Sequence, residues 1–154
     1  MLSDAIDRAT QRHIYRLVAF VYMPEHVHLL VAPGSGASSV SQLLRAIKRP
    51  FSYRIKQLLE LSKSTLLDQL TIRQRPGVET FRYWQEGPGY DRNLAHGQTL
   101  LAAIDYIHLN PVRRGMVDHS VDWNWSSARW YAGLPPKSGL RLPQIEKLPA
   151  ELLT

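Results

Sequence analysis

The run from Tyr15 to Ala32 leaves the backbone few choices. Tyr15-Arg16-Leu17-Val18-Ala19-Phe20-Val21-Tyr22 is dense in β-branched and aromatic residues, which suit a pleated surface. Met23-Pro24-Glu25 then breaks the pattern, because proline has no amide donor and restrains the residue before it. A second strand is predicted from His26 to Ala32, ended by the turn Pro33-Gly34-Ser35-Gly36. The two strands should pair as a hairpin. The apolar continuity of the first predicts one face packed on helices and the other partly covered.

Helices flank this hairpin. Ser3 to about Arg12 fits a helix with Ser3 as N-cap and Ala5, Ile6 and Ala9 along one side. From Ser39 to about Leu61, helical periodicity runs through Val40, Leu43, Leu44, Ile47, Phe51, Ile55 and Leu58, and Pro50 is expected to kink or divide it. Residues 62–97 are less regular. Arg73-Gln74-Arg75-Pro76-Gly77 reads as a turn, Phe81 to Gln85 as a short strand or an aromatic plug, and Gly87 to Asn93 as a loop. A further helix is predicted from about Gln98 to Leu109, ending at Asn110-Pro111, with another turn at Gly115. Trp123 to Tyr131 should begin a short helix, its aromatics closing the core. The pattern is α+β, with one domain over residues 1–132 and a tail over 133–154, a size that supports one main core.

Composition removes several chemistries. With no cysteine, thiolate ligands, cysteine nucleophiles and disulfides are excluded. No apolar run approaches the length needed to cross a bilayer, and Met1 to Asp7 lacks the character of a secretory leader, so cytoplasmic residence and no membrane partner are expected. The net charge of +6 favours a polyanionic partner.

His26-Val27-His28 places two imidazoles on one side of a strand, roughly 7 Å apart at the backbone. Rings so spaced can converge on one divalent ion through neutral nitrogens. Without a third ligand, ordinary surface residues are the plainer reading of a short His-x-His sequence. Glu25 is expected on the opposite face, away from such an ion. In the later helix, Tyr106 and Asn110 stand four residues apart and share a face. A phenol titrates near pH ~10 and is a weak nucleophile at neutrality, but a metal-polarised phosphate can make it useful. His108 should point elsewhere, as a polar helix residue bonded to backbone or water. A buried ring with an exposed hydroxyl is the plainer reading of Tyr106 taken alone.

Tyr22-Met23-Pro24-Glu25-His26-Val27-His28-Leu29-Leu30 resembles the HUH signature of single-tyrosine transposases. Asp105 to Val117 resembles the nucleophile region of their REP-associated branch, and Trp125-Ser126-Ser127 is similar to a segment found beyond that region. In their order and spacing these features span about residues 15 to 131. The resemblance implies that His26 and His28 are metal ligands, that Asn110 is a third, amide-bearing ligand and that Tyr106 is the nucleophile. It also implies Mg²⁺ or Mn²⁺, single-stranded or hairpin DNA, a 5′-phosphotyrosyl intermediate, association with the nucleoid, and a ferredoxin-like α+β sandwich with a central antiparallel sheet. Relatives usually place a strand and a longer helix before the segment matching Tyr15 to Tyr22. That first strand looks absent here, which suggests either a truncated relative or a homodimer that covers the open sheet edge.

Arg45, Lys48, Arg49, Arg54 and Lys56 are candidate backbone-binding residues along the helix after Ser39, with a solvated helix face as an equal alternative. Arg113 and Arg114 follow the proposed site closely enough to touch flanking phosphates. Tyr83, Trp84 and Tyr90 can stack on unpaired bases, with Arg82 and Arg92 interleaved. Core packing is the plainer role for Trp84. Two rival functions use the same residues: a noncatalytic DNA-binding relative, and a metal-dependent phosphodiester hydrolase that employs water.

Overall fold

A computed structural model describes residues 1–85, 93–94 and 97–147. The protein is an α+β fold with two small antiparallel sheets and several helices. Its chain gathers into two compact units: Met1–Ala9 with Ser38–Asp91, and Thr10–Ala37 with Arg92–Thr154. One boundary falls inside the first helix, α1 (Leu2–His13), which spans the predicted Ser3 to Arg12 segment. A single central sheet is not what the described residues form. Their four strands make two separate hairpins, each closed by its own turn and each within its own unit.

In the unit containing Thr10–Ala37, β1 (Tyr15–Tyr22) pairs antiparallel with β2 (Val27–Pro33), and Val21 stands opposite His28. The register slips between Leu17 and Ala19, a bulge that adds one residue to β1. Leu17 to Val21 are all buried, so both faces of β1 are covered, more than its sequence predicted. Val18, Ala19, Val21, Met23 and Ala32 form a core with Ile104 and Ile107 of α4 (Gly97–Arg113), and Leu30 and Trp123 pack against it. Each fully buried valine, isoleucine or methionine there contributes about 1.5–3 kcal/mol.

The fourth helix does not end before Pro111, as its sequence suggested, but carries the proline in its last turn. A proline there removes only its own N–H bond, and the stop comes later. Gly115 adopts a φ of +65° and donates its N–H to Val112 O, while the Met116 N–H reaches Pro111 O, both at 2.9 Å. This is a Schellman cap, with glycine where the left-handed backbone requires it.

The edge of β1 away from β2 is also occupied. The Tyr22 N–H donates to Trp125 O at 2.8 Å, the Ser127 N–H to Phe20 O at 3.0 Å and the Glu146 N–H to Leu17 O at 2.9 Å. Residues beyond 133, expected as a tail, therefore return to the sheet edge at Glu146. Ser127 Oγ accepts the Phe20 N–H at 2.9 Å and lies 2.8 Å from His108 Nε2. One buried hydroxyl thus joins strand, helix and the Trp-Ser-Ser segment. The short helix α5 (Ala128–Tyr131) follows, and the Tyr131 hydroxyl donates to Val18 O at 3.0 Å.

In the other unit, α2 (Val40–Leu61) is one helix that Pro50 does not divide. Ile47 and Phe51 are buried on either side of the proline, which holds the helix together across the lost hydrogen bond. Ser39 and Gln42 form a capping box: Ser39 Oγ accepts the Gln42 N–H at 3.3 Å, and Gln42 Oε1 accepts the Ser39 N–H at 3.1 Å. After the single-turn α3 (Leu66–Gln69), β3 (Thr71–Arg75) and β4 (Val78–Phe81) pair around Pro76-Gly77. The predicted turn therefore shrinks to two residues, with Gly77 at a φ of +77°, and Arg73 to Arg75 are strand. Of the two readings for Phe81 to Gln85, the plug describes Tyr83 and Trp84, whose rings lie 5.2 and 5.6 Å from that of Phe51. The Trp84 indole N–H donates to Lys48 O at 3.2 Å. No helix among the described residues is long and apolar enough to cross a membrane.

Ser127→Ala strips a buried backbone N–H of its acceptor. It should cost about 1–3 kcal/mol in urea denaturation, whereas Ser41→Ala, at an exposed position, should stay within about 0.5 kcal/mol.

Candidate metal and nucleophile site

His26 lies just ahead of β2 rather than within it. Its carbonyl accepts the Met23 N–H at 2.8 Å, closing the turn over Pro24-Glu25. The rings of His26 and His28 nevertheless converge, with centroids 4.7 Å apart and planes at 77°. Against them comes α4. The i, i+4 spacing sets Tyr106 and Asn110 on one face, and both meet His28. The Tyr106 ring is edge-on at 5.6 Å, and Asn110 Nδ2 donates to His28 Nε2 at 3.3 Å.

Burial and polarity give this group its chemistry. Burial first, and then the neighbouring charge of His26, hold the His28 imidazole below its ordinary value of 6.5. At neutral pH it is an uncharged donor, the form a metal ligand must take. Asn110 is buried, and its Oδ1 has no hydrogen-bond partner. An orphaned buried oxygen costs about 1–3 kcal/mol, which a cation beside it would offset. Among the described residues no group of three or more His, Cys, Asp or Glu is placed to hold a metal. Two imidazoles and a neutral amide would make up the donor set of any ion here, a set compatible with a divalent cation whose shell is completed by water or phosphate oxygens.

Tyr106 is 47% exposed. The Arg113 guanidinium carbon lies 5.3 Å from its ring centroid, over the ring face. Arg114 points elsewhere and pairs with Glu25. That carboxylate is also 3.5 Å from His26 Nδ1, so Glu25 sits on the histidine side and not on the opposite face. Strand alternation misplaces it because residue 25 precedes β2, where no pleat dictates direction.

His108 does point away from Tyr106, but into the core. Beyond its contact with Ser127, its ring lies 5.0 Å from that of Tyr131. Burial holds its pKa below 6.5, with Asp105 opposing. The aromatics expected to close the core divide: Trp123 packs on it, while Trp125, Trp130 and Tyr131 keep substantial exposure. The Tyr131 hydroxyl nevertheless reaches Val18 O, and the Trp130 ring packs on that of Tyr131.

The candidates on α2, together with Arg82, belong to the other unit. Arg45, Arg49 and Lys56 form one stripe of α2, with Lys48 beside it; Arg54 instead continues the row of Leu43, Ile47 and Phe51. Lys48 Nζ lies 5.8 Å from the Trp84 ring centroid, and Lys56 pairs with Glu60 at 3.6 Å. The Arg82 N–H donates to Leu70 O at 2.7 Å. Tyr90 and Arg92 lie outside the described residues.

No family model matches the chain. It is similar to a protein of Haemophilus influenzae described as a REP-associated tyrosine transposase, with 25% identity over 128 residues, covering 80% of this chain and 65% of that protein. It is also similar to the REP-associated tyrosine transposase of Escherichia coli, with 24% identity over 129 residues, covering 82% and 62%. The chain thus spans slightly less than two thirds of either relative's length. Its fold is shared with the structure of a REP-associated tyrosine transposase bound to a REP hairpin, at a TM-score of 0.51 and 22% identity over 97% of this chain and 79% of that one. In sequence and in fold, the chain is thus similar to REP-associated tyrosine transposases.

Because both His28 and His108 are held below 6.5 in the folded state, unfolding takes up protons in acid. Stability should be complete above pH 6.5 and fall as pH drops through the lowered folded values. Urea midpoints between pH 7.5 and 5 should show this decline, and His108→Gln should flatten it.

Proposed function

We propose that the protein cleaves and rejoins single-stranded or hairpin DNA through Tyr106. The observation that carries this reading is the meeting of His28 with both Tyr106 and Asn110, from a helix far along the chain. A purely structural phenol would have no reason to share a face with a buried, half-satisfied amide beside two histidines. The neighbouring relatives support the substrate class: two are named as tyrosine transposases, and a third protein of the same fold is described with a REP hairpin bound.

In this reading His26, His28 and Asn110 hold Mg²⁺ or Mn²⁺. When bound, such an ion withdraws charge from the nonbridging oxygens of the scissile phosphate. The Tyr106 oxygen forms a bond to phosphorus as its proton passes to solvent water at the exposed phenol. The bond to the 3′ oxygen breaks, and that oxygen departs with the electron pair and takes up a proton. A 5′-phosphotyrosyl link remains, and a 3′-hydroxyl attacking it reverses the step, so rejoining needs no nucleotide cofactor. Arg113, above the phenol ring, restrains Tyr106 and offers its guanidinium to a phosphate nearby. The stripe of Arg45, Arg49 and Lys56 supplies sequence-independent backbone attraction. Tyr83 and the neighbouring Arg82 present an aromatic surface for unpaired bases. The β1–β2 hairpin with α4 upon it is the kernel of a ferredoxin-like sandwich.

Incubation with end-labelled hairpin and single-stranded oligonucleotides plus Mn²⁺ should yield a covalent protein–DNA adduct. Tyr106→Phe should abolish the adduct while leaving DNA affinity within about twofold, since one hydroxyl adds little to an interface held by phosphate contacts. His28→Ala should lose both the adduct and Mn²⁺ binding. Cleavage that persists in Tyr106→Phe would identify a water-using hydrolase. Binding without any adduct would leave a noncatalytic DNA-binding protein.

A further inference from the structure

The two histidines are held in different ways. His28 stands within β2, opposite Val21, and is braced by Asn110 and Tyr106 from α4. His26 lies in the turn before the strand, so no ladder directs its side chain. Its ring meets that of His28, and its Nδ1 lies beside the carboxylate of Glu25. A ligand on a turn has rotamer freedom that must be lost before it can serve, and something has to take it away.

Resting on the metal reading above, we infer that Glu25 is the positioning residue for His26, itself locked in place by Arg114. Its carboxylate oxygen, 3.5 Å from Nδ1, favours the tautomer that carries its proton there. Nε2 is then left with its lone pair free for a cation. This is the arrangement by which carboxylates behind ligating histidines fix ring orientation and raise donor strength. Arg114 pairs with the same oxygen of Glu25. That guanidinium follows the last turn of α4 immediately, ahead of the Gly115 cap. The helix that carries Tyr106 and Asn110 is thereby tied by charge to the turn that carries His26. Arg114 is a brace between site elements, and Arg113 is left as the cation facing the phenol.

Two measurements test this. In metal-free protein, long-range ¹⁵N–¹H correlation spectra should show His26 mainly protonated at Nδ1, and Glu25→Ala should shift it towards the Nε2-protonated form. Mn²⁺ binding, followed by loss of the free-ion EPR signal, should weaken about 10–100-fold in Glu25→Ala, the range found when such a supporting partner is lost. Glu25→Gln keeps a carbonyl acceptor for Nδ1–H and should weaken binding clearly less. Arg114→Gln should affect Mn²⁺ affinity less than Glu25→Ala. If wild type and Glu25→Ala bind Mn²⁺ equally, or if Glu25→Gln and Glu25→Ala fall together with no change of tautomer, the assignment of Glu25 is overturned while the metal site stands. If the wild type binds no Mn²⁺, the metal reading fails and this inference fails with it. A misfolded Glu25→Ala would show as a collapsed amide spectrum, and Glu25→Gln against Arg114→Gln would then decide.

Discussion

Ile104 and Ile107 press into the core made by Val18, Ala19, Val21, Met23 and Ala32, and this contact sets where α4 lies against the hairpin. The rest of the candidate site follows from it. On a helix whose Ile107 faces the sheet, Asn110 is one turn further along the same side, which explains its burial. Tyr106, one turn back from Asn110, falls at the margin, where its ring reaches His28 while much of it remains in solvent. A shift of one residue in this packing would rotate the helix by roughly 100° and dissolve the constellation.

Holding the hairpin still is the second requirement. An isolated two-stranded hairpin is marginal in water, yet β1 is buried on both faces and bonded along both edges. The Trp-Ser-Ser segment serves as an edge cover, pinned by Ser127 to Phe20 and, through His108, to α4. His108 and Asn110 therefore make a division of labour on one helix. The first is spent on satisfying a hydroxyl in the core. The second keeps an oxygen without a partner, which in a native structure calls for an explanation such as an ion or water.

Much of this could be read beforehand. The hairpin, the helix after Ser39 and the face shared by Tyr106 and Asn110 follow from local periodicity, whereas His26 meets His28 from the turn ahead of β2. Misplaced features share a cause: each depends on contacts between residues distant in the chain. Pro111 reads as a stop and Pro50 as a kink or a division, but α2 runs undivided past its proline with Ile47 and Phe51 buried on either side, and the Gly115 cap sets the end of α4. Strand alternation puts Glu25 on the wrong side because β2 begins only at Val27, two residues later. The single central sheet was expected by family resemblance, whereas the strands described here pair only within their own hairpins.

By itself, the amino-acid order determined which residues could share a face, because strand and helix periods are properties of a local backbone. It also fixed the available chemistry: no thiolates, two imidazoles, one phenol and one amide at usable spacings. Only tertiary structure decided that these faces meet, since the approach of α4 to β2 depends on how side chains of Ile104, Ile107 and the hairpin fill space together. It likewise decided the neutrality of His28, the orphaned oxygen of Asn110 and the turning of Glu25 towards His26. Burial and charge at those atoms come from neighbours that no local pattern names.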